Sequence, residues 1–248
     1  MLESIAGIST LLFILAGGAV SVRLTALAWR TGGFAEWMLG PGLFLVVGAG
    51  YPILITGQQL TLGDHAMGPL TLTTALVVMS VGWGLVWTFT WRVFRPEEAW
   101  ARALALVSYL VLAITAAEGV HRALTIGEPR DILIPSWGAI GHQLNAMALF
   151  SWTGFEAFRY QALLRKRLAL GLANPVVANR FFLWGVVSIF SIISMAGPLI
   201  AGLMGVDFMA NPYVLLSVSV GGLTTAVTLY LAFLPPKAYL RRIERSSS

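Results

Sequence analysis

Three histidines (His65, His121 and His142) and two carboxylates near them, Asp64 and Glu118, are the side chains here with the most varied chemistry. Imidazole and carboxylate together are the usual ligands of zinc and similar ions. Glu118 and His121 stand three residues apart, so on a helix they share a face. With His142 from the next apolar segment they form a candidate metal set. The competing reading pairs Glu118 with Arg122 or Arg130 and leaves the histidines satisfied at a wet interface. Cysteine is absent, which removes thiol nucleophiles, thiolate metal sites, disulfides and CxxCH haem attachment. No spacing in the chain names a reaction, so an enzyme is the lesser expectation.

A second constellation follows helical spacing. His142, Asn145, Leu149, Trp152 and Glu156 fall on one stripe of a single apolar segment. Polar groups inside a membrane are costly, so such a stripe turns toward a bundle interior or a watery cavity. Upstream, Ser80, Trp83, Trp87 and Trp91 share one helix face, and Gly50-Tyr51-Pro52 marks a kink in another segment. A ligand site built from His142, Asn145, Trp152, Trp83, Trp87 and Tyr51 is one expectation. In the plainer expectation Asn145 hydrogen-bonds a neighbouring helix, the tryptophans pack, and Glu156 latches onto Arg159 or Arg180.

These residues need elements to hold them, and composition says which. Hydrophobic residues make up 57% of the 248 positions and charged residues 11%, with mean hydropathy +0.80. A soluble domain of this size carries roughly 25% charged residues. Several apolar runs reach the ~20 residues that cross a bilayer as a helix. The expected fold is therefore an all-α integral membrane protein, a single bundle over 1–248 with seven spans and a basic tail at 237–248. The spans are placed at about 5–22, 37–56, 70–91, 99–120, 135–158, 180–204 and 212–234. Pro52 and Pro198 predict kinks, and Gly17, Gly18, Gly82 and Gly84 predict close helix approaches. Pro96 predicts a helix start with Glu97 and Glu98 in its first turn, while Asn174-Pro175 and Asn211-Pro212 read as caps. Ser246–Ser248 read as disordered.

Charge orients the spans. Of sixteen basic residues, only Arg122 and Arg130 fall on one side, leaving fourteen on the other. Lys and Arg are retained inside, so the N-terminus is expected outside and the C-terminus in the cytoplasm of a plasma membrane, of prokaryotic type. The net charge of +5 is topogenic, which points to the lipid bilayer as partner and away from nucleic acid. The segment 158–181 holds Arg159, Arg165, Lys166, Arg167 and Arg180, more than orientation requires, and is a candidate surface for a cytoplasmic protein partner.

Seven spans with an outside N-terminus resemble retinal proteins and receptors in topology alone. Schiff-base retinal needs a lysine in mid-span 7, and the two lysines, Lys166 and Lys237, lie at the cytoplasmic edge. The leading expectation is a receptor-like or sensory bundle. It binds a small, partly apolar ligand in its outer half and signals through the basic segment. A solute transporter is the second, since the outer-half prolines of spans 2 and 6 are similar in placement to the 3+1+3 repeat of SWEET sugar transporters. A membrane enzyme or metal-binding protein using Glu118, His121 and His142 is the third.

Overall fold

The computed structural model describes residues 2–206 and 211–245; Ser246–Ser248, expected to be disordered, lie outside the described residues. These residues form α1 (Leu2–Thr31), α2 (Phe34–Leu62), α3 (Gly68–Phe94), α4 (Ala99–Thr125), α5 (Trp137–Leu168), α6 (Pro175–Leu203), α7 (Pro212–Phe233) and α8 (Lys237–Arg245), with no strand among them. Six of the described helices, α1 to α4, α6 and α7, are long and apolar enough to cross a membrane. The protein is thus a helical, multi-pass membrane protein in character. α5 is left out of that set because His142, Gln143, Asn145 and a charged C-terminal turn lower its hydropathy. Its 32 residues nevertheless extend about 48 Å at 1.5 Å per residue.

Several ends differ from the sequence expectation. α2 continues through Gly57–Leu62, beyond the span expected at 37–56, because Gly57 and Thr61 seat on Leu72 and Gly68 of α3. Pro96 does not open a helix. Residues 95–98 form a turn, Glu98 has an extended backbone at the N-cap, and α4 starts at Ala99. The basic segment is not a loop for most of its length. α5 runs on to Leu168, so Arg159, Arg165, Lys166 and Arg167 are helical, and Arg180 lies on α6. Only 169–174 leave the helix, turning at Gly171 (φ 69°).

Other expectations hold. Gly32 (φ 67°) breaks the chain after α1. The Asn174 side chain accepts the Val176 N–H at the start of α6, and Asn211 accepts those of Tyr213 and Val214 at α7. Pro52 has no N–H to offer Gly48, and the helix answers with a π-helical turn over Phe44–Gly50, the Tyr51 N–H bonding the Val46 carbonyl.

Backbone contacts divide the chain into two compact units, one of Gly17–Ala146 with Leu199–Asp207, the other of Met1–Ala16, Met147–Pro198 and Phe208–Ser248. In the first, α2 and α3 meet along a seam of glycines. A Cβ at Gly82 would fall 2.8 Å from the Gly42 carbonyl oxygen, and one at Gly42 would fall 3.1 Å from that of Gly82. Gly17 abuts Val47, whereas Gly18 and Gly84 face nothing within 4 Å. In the second unit, Gly154 packs on Ser188, Gly185 on Phe158 and Gly221 on Ser194, so small residues also bring α5, α6 and α7 together.

Candidate functional site

The first unit carries the densest buried polar chemistry, where α3, α4 and α5 pack together. α5 begins at a cap that is also a bridge. The Ser136 hydroxyl oxygen accepts the Ala139 N–H and the hydroxyl donates to Glu118 Oε2 at 3.1 Å, tying α5 to α4. The polar stripe of α5 then enters the core. Asn145, 7% exposed, accepts the indole N–H of Trp87 at 2.8 Å and donates to the Ser108 carbonyl at 3.2 Å. One amide thereby clamps α3 and α4 to α5. Thr73 adds a bond to the Gly119 carbonyl, and the Thr88 and Tyr109 hydroxyls lie 2.8 Å apart.

His142 sits one turn outward from Asn145 and is 8% exposed. Its Nδ1 lies 3.3 Å from Ser80 Oγ, and the Ser80 hydroxyl also reaches the Leu76 carbonyl at 2.8 Å. A hydroxyl has a single proton. The shorter bond to Leu76 takes it, so Ser80 Oγ is left to accept Nδ1–H from the imidazole. Nε2 is then the bare lone pair of a neutral ring, and it is buried without a hydrogen-bond partner among the described residues. A buried acceptor left unmade costs about 1–3 kcal/mol, which marks the atom for explanation.

The remaining sequence candidates divide. Trp87 joins the network, and Trp83, one turn away on α3, is buried beside it in sequence at 4% exposure. Tyr51 follows the π-helical turn of α2 and is half-buried. Trp152 is buried within the second unit.

The proposed metal ligands are not brought together. Glu118 is engaged by Ser136 and lies 3.9 Å from Arg122, as the plainer reading expected. His121 is exposed on α4, while His142 is committed to Ser80. Among the described residues no three His, Asp or Glu side chains gather into a group that could hold a metal ion.

Arg122 and Arg130, the two basic residues that the charge count sets apart, both hold loops. Arg122 donates to the Asp131 and Ile134 carbonyls, and Arg130 pairs with Asp64 at 2.6 Å and donates to the Leu62 carbonyl. A groove of about 260 Å³ lies between Leu70, Thr73, Thr74 and Val77 of α3 and Val120 and Leu124 of α4. It is apolar, and none of the site residues named from the sequence lines it.

In the second unit Glu156 is 1% exposed and pairs with Arg159 at 3.2 Å, the expected latch. Arg165, Lys166, Arg167 and Arg180 are exposed. Sequence reasoning missed Ser108, which acts through its main-chain carbonyl and so leaves no trace in residue type. It also missed the bridging role of Ser136, for which the start of α5 right after Pro135 was the available signal. Comparison with family models, curated proteins and solved structures finds no match to this chain.

Proposed function

We propose that this is a receptor-like protein of the plasma membrane that takes a small, partly apolar ligand in the α3–α4–α5 core. In this reading α5 is the seventh span, with its polar stripe turned inward and the N-terminus outside. The observation that carries the reading is the buried, unpartnered Nε2 of His142, in a core where both ends of the Asn145 amide are satisfied. Because Nε2 is an acceptor, the ligand brings a hydrogen-bond donor, a hydroxyl or an amine N–H, on an otherwise apolar body. The π-helical turn before Tyr51 is the natural flexure, since such turns store an alternative hydrogen-bond register. The basic hairpin of Arg159, Arg165, Lys166, Arg167 and Arg180 is the output face toward a cytoplasmic partner.

Nitrogen NMR of histidine-labelled protein tests this directly, since the chain has three histidines to assign. The His142 ring is expected as the Nδ1–H tautomer, and small alcohols or amines are expected to shift its Nε2 resonance. An Nε2 that is protonated from the outset, or indifferent to every donor, removes the site. A transporter is the second reading, drawing on the interrupted α2 with Tyr51 at the break. It calls for solute uptake into proteoliposomes that Pro52→Ala slows.

A further inference from the structure

We propose that α8 is an interfacial helix that binds anionic phospholipid headgroups through Lys237, Arg241 and Arg242. The inference does not rest on the His142 reading. α7 has 22 residues, about 33 Å long at 1.5 Å per residue, which matches the ~30 Å of bilayer hydrocarbon. Three residues, Leu234, Pro235 and Pro236, connect it to α8, and three residues reach at most about 11 Å. α8 therefore starts in the headgroup layer and cannot stand out in bulk solvent.

Of its nine residues, KAYLRRIER, the apolar and the basic ones fall on opposite faces, with exposed Glu244 at the border between them. Tyr239, Leu240 and Ile243 lie at helical spacing on one side and are half-buried; Lys237, Arg241 and Arg242 lie on the other and are exposed. The apolar side is turned to the protein: the Tyr239 hydroxyl lies 3.0 Å from Asn179 Nδ2, which donates to it, at the start of α6. That bond fixes the helix in rotation. The basic face is thus presented outward by design of the fold, at headgroup depth, with exposed Arg180 next in sequence to the Asn179 anchor. Depth and sign of charge together select an anionic lipid surface over an acidic protein segment.

The test uses purified full-length protein in detergent, offered phosphatidylglycerol or phosphatidylcholine, with bound lipid counted by native mass spectrometry. Wild type is expected to prefer phosphatidylglycerol. The Lys237→Gln/Arg241→Gln/Arg242→Gln variant is expected to lose that preference by about tenfold or more. A control variant, Arg165→Gln/Lys166→Gln/Arg167→Gln, is expected to keep it within about twofold. Equal binding of both lipids by wild type overturns the proposal. So does an unchanged preference in the α8 variant, or an equal loss in the hairpin control. An acidic protein that co-purifies with wild type but not with the α8 variant, without any lipid preference, assigns the face to that protein instead. Should the triple variant misfold, salt on the wild type decides. Moving from 0.1 M to 1 M shortens the Debye length from about 10 Å to about 3 Å, and must weaken phosphatidylglycerol binding while sparing phosphatidylcholine; a salt-independent preference overturns the proposal.

Discussion

Asn145 and His142, one helical turn apart on α5, have opposite hydrogen-bond fates. Asn145 spends its oxygen on Trp87 and one amide hydrogen on Ser108, whereas His142 spends one nitrogen on Ser80 and keeps the other. The difference predicts different mutants. Asn145→Ala removes the acceptor of a buried indole N–H and a second donor to the Ser108 carbonyl, so it should lower stability by about 1–3 kcal/mol, read as a drop in the melting temperature of purified protein. His142→Phe fills similar space without a polar atom and should melt at or above wild type, because it removes an acceptor that is unmade in the free protein. A melt as depressed as that of Asn145→Ala would show that His142 is a structural bond after all. The polar stripe itself was legible in the sequence, because polar residues at helical spacing inside an apolar run have one inward direction. Which of its members is saturated was not legible. That depends on a main-chain carbonyl of Ser108 and a proton held by Leu76, neither of which residue types encode.

Among the elements, the α2–α3 pair shows what small residues accomplish without a hydrophobic drive between helices. At Gly82 a Cβ would stand closer to the Gly42 carbonyl than real Cβ atoms come, and at Gly42 it would crowd the carbonyl of Gly82. Gly82→Val should therefore push α2 from α3 and cost about 1–3 kcal/mol, while Gly84→Val, on an open face with nothing within 4 Å, should leave the melting temperature nearly unchanged. Both glycines read alike in sequence, since composition cannot say which face of a helix meets a neighbour. Helix caps were the opposite case. Asn174 and Asn211 each precede proline, and a local signal of that kind determines local structure whatever packs around it. The extension of α5 to Leu168 was not legible because its last turns are charged, a composition that ends a membrane span without ending a helix. Helix and span need not end together: Arg165, Lys166 and Arg167 suit the negative C-terminal end of the helix dipole.

For the whole molecule, the proposed orientation rests on a count of fourteen basic residues against two, and the two exceptions have local employment holding loops. A chain without cysteine is well suited to checking this, since one introduced thiol reports one position. Glu128→Cys should react with an impermeant maleimide added to intact cells, and Ala169→Cys only after lysis; the reverse pattern would invert the topology. Beyond topology, the proposed function requires the α3–α4–α5 core to be a binding site with His142 as its acceptor. The most direct check is the melting temperature of purified protein across a panel of small alcohols and amines, each matched to its alkane or methyl ether, for wild type and His142→Phe. At least one donor-bearing compound is expected to raise the wild-type melt while its donor-free match does not, and the rise is expected to vanish in His142→Phe. Equal shifts with donor-bearing and donor-free compounds, or a rise that survives His142→Phe, would contradict it.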